Sequence, residues 1–168
     1  AKCGYVVAEL GFDACVDYKA GPVDAALKAA VPSGIDVYFD NVGGEILDAV
    51  LRRVNPGARV PLCGLIAGYD GAELAIRNVY SLLVNRVRLQ GFIVTDRMDL
   101  WPEAMKELAG HVASGRIKYR ETVAQGLEAA PRAFLGMLRG ENFGKQLVRV
   151  SDTVSDTASQ AGKTPVER

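Results

Sequence analysis

Asp36-Val37-Tyr38-Phe39-Asp40-Asn41-Val42-Gly43-Gly44 decides how the rest of the chain is read. Three bulky apolar residues bounded by aspartates and glycines predict a short strand buried on both faces. Directly after it, Asn41 and the Gly43-Gly44 pair predict a tight turn. Ile46, Leu47, Val50, Leu51 and Val54 then recur at helical spacing. Strand, polar turn and helix are the unit of an open α/β sheet, in which ligands lie beyond the carboxyl ends of the strands. Asn41 falls at that end. The same residues also suit a plain turn, which Asn41 closes and the glycines permit.

The pattern repeats on both sides. Before it, Tyr5, Val6 and Leu10 share a helix face that Gly11 ends, and residues 14–16 form a short strand candidate. Pro22 sits in the first turn of a helix carrying Val23, Leu27, Ala30 and Val31, closed by Ser33-Gly34. After it come an Asn55-Pro56-Gly57 turn, a strand over 59–63, a glycine-rich loop over 64–71 and a helix over 78–87. A strand over 88–94 follows. Asp99 caps a helix with Pro102 in its first turn and Trp101, Met105, Leu108 and Val112 along one side. A last helix over 130–139 turns Phe134, Leu135 and Leu138 inward, and 146–150 alternates as a closing strand.

The 168 residues suffice for a real core, and 20 basic against 20 acidic residues give no global pull toward nucleic acid or membrane. No apolar run is long enough to span a bilayer, and no secretory pattern opens the chain, so cytoplasm is the expected compartment. Three scattered cysteines (Cys3, Cys15, Cys63) and one histidine, His111, suggest neither a disulfide framework nor a zinc site. From Ser151 onward large apolar residues nearly vanish, and the tail 151–168 is expected to be disordered.

Neither G-x-G-x-x-G nor the Walker A pattern occurs. Gly64, Gly68 and Gly71 match neither spacing, and alone they read as a turn. A G-x-S-x-G elbow is missing too, and His111 flanks a helix stripe rather than a triad. Asp36 and Asp40 read as turn and cap residues.

Five segments nevertheless occur in a distinctive order: GFDACVDYK, GIDVYFDNVGGEILDAVL, PLCGLIAGYD, YSLLVNRVRLQGFIV and GENFGKQLVRV. Together, over residues 1 to about 150, they strongly resemble the zinc-independent medium-chain dehydrogenase/reductases. Their nearest likeness is to the NADP-dependent branch of leukotriene hydroxydehydrogenases, prostaglandin reductases and 2-alkenal reductases. The resemblance implies a Rossmann-like doubly wound parallel sheet that binds NADP(H), joined to a GroES-like catalytic domain. It also implies reduction of the C=C bond of α,β-unsaturated aldehydes and ketones. By the same resemblance Lys2 and Tyr18 contact the 2′-phosphate of the cofactor, and Asn41 lies against the cofactor. Cys63, Gly64, Leu65, Ile66 and Tyr69 line the nicotinamide side, with Phe92 and Val94 beyond and Asn142 reaching in from the returning segment. Such hydride transfer asks the protein to position cofactor and enone and to stabilise an enolate oxygen. Tyr69 is the candidate hydroxyl for that oxygen; packing on the cofactor is its other reading.

On this pattern residues 1–120 are expected to be a partial NADP-binding domain and 121–150 a segment returning toward the catalytic domain. The first strand, glycine turn, helix and second strand of the family sheet are expected to precede Ala1, as is the GroES-like domain. Two readings follow: part of an NADPH-dependent enone reductase, acting on a small molecule and open to homodimer formation, or a non-catalytic α/β module that binds nucleotide or dimerises through the strand near Gly91.

Overall fold

A computed structural model describes residues 1–151, so the tail expected to be disordered lies, Ser151 apart, outside the described residues. The chain divides into two units, Ala1–Arg116 and a second from Ile117 onward.

In the first unit the order is α1 (Lys2–Ala8), α2 (Val23–Ala30), β1 (Ile35–Val37), α3 (Gly44–Leu51), β2 (Val54–Leu62), α4 (Val79–Val84), β3 (Arg88–Gly91) and α5 (Trp101–Ala113). The three strands form a parallel sheet in the order β1-β2-β3. Parallel neighbours joined through helices are the Rossmann-like pattern the central stretch predicted. The core lies where α3 meets β2: Leu47, Val50 and Leu51 pack with Val54, Ala58 and Val60, and Leu27, Ile35, Tyr38, Leu82 and Leu89 close around them. Burying each large aliphatic side chain here contributes roughly 1.5–3 kcal/mol.

Asp48 ties this core to the next segment. It sits beside the apolar stripe of α3, its side chain only 5% exposed. Its carboxylate accepts the backbone N–H groups of Arg77 (2.7 Å) and Asn78 (2.8 Å) and the Asn78 side-chain amide at 2.7 Å. A buried carboxylate with three such donors holds α4 in place against the sheet.

Several expectations are corrected. Residues 14–16 are extended but pair with no strand among the described residues; an extended segment becomes a strand only through a ladder. The central strand is not buried on both faces, because β1 is an edge whose register with β2 is irregular. From Ile35 to Val37, β1 advances two residues while its partners on β2 run from Val54 to Arg59. The break turns Tyr38 toward the core and leaves Val37 and Phe39 more than half exposed. Those extra residues include Asn55-Pro56-Gly57, which is an irregularity within β2 rather than a turn, and Val54 belongs to the strand, not the helix. The strand expected over 88–94 stops at Gly91, and Val94 opens a 3-10 segment, Val94–Leu100. Asp99 does not cap α5: its carboxylate takes the Arg97 guanidinium at 2.8 Å, and the cap position is Leu100. The Trp101, Met105, Leu108 and Val112 stripe is present on α5 but between 37% and 56% exposed.

The second unit holds β4 (Glu121–Gln125), α6 (Ala130–Leu138) and β5 (Lys145–Arg149). β4 and β5 pair in parallel, Glu121 opposite Lys145 through Gln125 opposite Arg149. Phe134, Leu135 and Leu138 of α6 remain half exposed rather than inward, because a two-stranded sheet offers one short helix too little surface to cover its stripe.

Candidate functional site

The carboxyl ends of β1 and β2 are joined by Asp40, which is fully buried and forms an isolated parallel bridge to Leu62. Its N–H donates to the Pro61 carbonyl at 2.9 Å, and its own carbonyl accepts the N–H groups of Cys63 (2.8 Å) and Gly64 (3.2 Å). The Asp40 carboxylate closes the following turn by accepting Val42 N–H at 2.8 Å, Gly43 N–H at 3.0 Å and the Tyr38 hydroxyl at 3.0 Å. All three donors meet the same oxygen, Oδ1, while Oδ2 has no partner. The amino end of α3 begins at Gly44, so the helix dipole also favours the negative charge. In return, burial, the Asp40 charge and the Asp40 hydrogen bond push the Tyr38 hydroxyl well above the ordinary tyrosine range.

On this anchored turn rests the glycine loop. Ile66 N–H donates to the Asn41 carbonyl at 3.2 Å, Ala67 N–H to Val42 at 3.1 Å, and the loop coils into a 3-10 turn, Ile66–Gly68. Two glycines make the approach possible. Gly43 has φ +70°, and a β-carbon there would stand 2.6 Å from Leu65 Cδ2. A β-carbon on Gly64 would stand 3.2 Å from the Asn41 carbonyl oxygen. Alongside, Phe92 N–H continues toward the Leu62 carbonyl at 3.2 Å, and its ring meets Phe39 edge to face, 5.9 Å between centroids.

Asn41, Cys63, Gly64, Leu65, Ile66 and Phe92 are thus brought to one end of the sheet. Leu65, Ile66 and Phe92 are partly exposed there. Tyr69 follows at the end of the 3-10 turn, 75% exposed, and Val94 lies two residues past Phe92. The missing β-carbons of Gly43 and Gly64 let the turn and the loop close on each other, with Leu65, Ile66 and Phe92 left partly exposed at this edge. Lys2 and Tyr18 are elsewhere. Lys2 opens α1, exposed, and Tyr18 is 56% exposed with the Lys19 ammonium 5.8 Å from its ring centre. Tyr18 borders a concavity of about 340 Å³ that Arg52 and Arg77 also line. Asn142 belongs to the second unit, where its side-chain amide donates to the Gly144 carbonyl at 2.6 Å.

The turn-and-cap reading of Asp40 holds, since its carboxylate accepts the Val42 and Gly43 N–H groups, but its full burial and the Asp48–Asn78 staple were not foreseen. For Asp40 a signal existed: an aspartate two residues before an N–H it can accept, followed by glycine, is Asx-turn chemistry. Among the described residues no group of three or more His, Cys, Asp or Glu could hold a metal ion. No helix among them is long and apolar enough to cross a membrane.

A parallel sheet with a glycine-bearing turn and loop packed together at its carboxyl edge defines a Rossmann-like α/β protein. Residues 5–110 match the family model described as zinc-binding dehydrogenase, and the chain belongs to that family, within the medium-chain dehydrogenase/reductases. It is 41% identical over 157 residues to the NADPH-dependent curcumin reductase of Escherichia coli, covering 89% of this chain and 46% of that protein. Similarity to the NADP-dependent 2-alkenal reductase of Nicotiana tabacum is 40% over 152 residues, covering 89% and 44%. Among solved structures, CurA of Vibrio vulnificus in complex with NADPH superposes with a TM-score of 0.83 at 42% identity, covering 90% of this chain and 47% of that one. The chain spans about half the length of these relatives.

Proposed function

We propose that this chain supplies part of the cofactor site of an NADPH-dependent oxidoreductase that reduces the C=C bond of α,β-unsaturated aldehydes and ketones. The observation that carries the reading is the Asp40-anchored turn, which sets Asn41 against the Gly64 loop at the carboxyl edge of the sheet. Similarity to a 2-alkenal reductase, a curcumin reductase and a structure solved with NADPH supports the substrate and cofactor classes.

NADPH, when bound, supplies the hydride. In this reading Asn41 and residues 63–66 hold the nicotinamide end at the carboxyl edge of the sheet, with Phe92 and Val94 bordering it. Lys2 and Tyr18 bind the 2′-phosphate, and Lys19 adds a second positive charge beside Tyr18. Tyr69 offers its hydroxyl to the oxygen that gains charge as the double bond is reduced. Among the described residues no set of donors fits zinc. Dimer formation through β3, an edge strand of its sheet, belongs instead to the second reading, a non-catalytic α/β module.

The test is a chimera in which these residues replace the matching half of the Escherichia coli curcumin reductase. We expect it to oxidise NADPH with a 2-alkenal and not with the saturated aldehyde, and to lose at least about tenfold in rate on Asn41→Ala. A folded chimera that binds NADPH but turns over no enone would overturn the assignment.

A further inference from the structure

The two faces of the sheet in the first unit differ. Ala58, Val60 and Leu89 turn toward α3 and the core. Arg59, Arg88 and Gln90 alternate with them and turn to the opposite face, where all three are exposed. Arg59 and Arg88 are partners across the β2–β3 ladder. Neighbouring strands lie about 4.8 Å apart, and like charges placed opposite each other destabilise a sheet. An acidic neighbour offsets that cost, yet among the described residues neither guanidinium has an ion pair or a hydrogen bond. Both line a concavity of about 280 Å³ with Pro61, Gln90 and Phe92, and among the described residues no carboxylate borders it.

We propose that Arg59 and Arg88 form a binding site for a phosphate monoester. One guanidinium fork takes two oxygens of a single anion, so a carboxylate is satisfied by one arginine. A phosphate monoester carries close to two negative charges at neutral pH and three acceptor oxygens, which suits two arginines held side by side. Gln90, two residues past Arg88 on the same face, adds an amide donor. Pro61 and the Phe92 ring give the organic part of the ligand an apolar wall. Small-molecule pockets begin at about 300 Å³, so a concavity of this size takes a small ester rather than a dinucleotide.

The site is distinct from the carboxyl edge. Arg88 opens β3, and Gly91, where that strand ends, lies three residues or roughly 10 Å farther along. Phe92 alone is common to this concavity and the residues proposed to surround the nicotinamide. The inference therefore does not rest on the NADPH reading. A free phosphate monoester and the 2′-phosphate of NADPH offer the same chemistry; the size of the concavity favours the free ester, and the titration separates the two.

The probe is phenyl phosphate, titrated calorimetrically into the 168-residue chain in phosphate-free buffer, with benzoate and NADPH titrated alongside. We expect saturable binding of phenyl phosphate, weakened at least about tenfold by Arg59→Gln or Arg88→Gln and weakened by added salt. Benzoate is expected to bind more weakly, and the response to NADPH to be the same in both variants as in the parent. Without ligand, either substitution removes the like-charge opposition and raises the urea midpoint, whereas phenyl phosphate raises the midpoint of the parent alone. If the chain alone is unfolded by circular dichroism, the chimera takes its place. A folded protein that binds no phenyl phosphate, binding that survives both substitutions, or benzoate bound as tightly would overturn the proposal. Loss of NADPH binding in these variants would overturn it too, by assigning the pair to the cofactor. Failure of the phenyl phosphate titration leaves the NADPH reading standing, and failure of that reading leaves this site standing.

Discussion

Gly64 approaches Asn41 so closely that a β-carbon on the glycine would stand 3.2 Å from the asparagine carbonyl oxygen. That oxygen cannot retreat freely, because it accepts the Ile66 N–H at 3.2 Å while Asp40 pins the turn from beneath. The contact sets the distance between the two loops that the proposed nicotinamide site needs.

Gly64→Ala therefore forces the loops apart. We expect a loss of about 1–2 kcal/mol in urea unfolding and weaker NADPH binding, both larger for Gly64→Val. Unchanged stability and affinity in both variants would show that the approach has slack.

The Asp48–Asn78 pair is tested by a double-mutant cycle. Asp48→Ala leaves the part-buried N–H groups of Arg77 and Asn78 without an acceptor and is expected to cost about 2–3 kcal/mol. Asn78→Ala costs less, about 1–2 kcal/mol, because only the side-chain amide is lost. A coupling of about 1 kcal/mol or more is expected, and strict additivity would contradict the staple.

Much of this was legible beforehand. Leu47, Val50 and Leu51 marked the helix face that forms the core, from which Ile46 is left out, and the polar turn after Phe39 marked the carboxyl edge of the sheet. What stayed hidden depended on partners distant in sequence. Nothing near Val37 announces that β2 carries extra residues opposite it, yet that irregularity exposes Val37 and Phe39. Asp48 looked like an ordinary polar residue on a helix until residues 77–78, about thirty positions on, met it. The exposed stripes of α5 and α6 show the converse: period alone predicts a face, not what covers it.

Tyr38 predicts a pH dependence. Its ordinary value is 10.0, and in the folded chain the hydroxyl keeps its proton well beyond that. The unfolded chain releases the proton first, so the contribution of Tyr38 to stability is complete below about pH 10 and is lost as pH rises above it. Urea midpoints from about pH 8 to 11 should fall more steeply for the parent than for Tyr38→Phe, which is itself less stable by about 1 kcal/mol near neutrality. Parallel slopes would contradict the Asp40–Tyr38 account.

The central claim is that these residues form part of an NADPH site, and direct titration of the 168-residue chain tests it most closely. Nicotinamide fluorescence is followed against NADPH and against NADH. The account predicts binding of NADPH in preference to NADH, weakened about tenfold by Lys2→Ala or Tyr18→Phe as one phosphate contact is lost, and weakened without loss of that preference by Asn41→Ala. A folded chain that binds neither cofactor, or binds both alike whatever stands at positions 2 and 18, would contradict it.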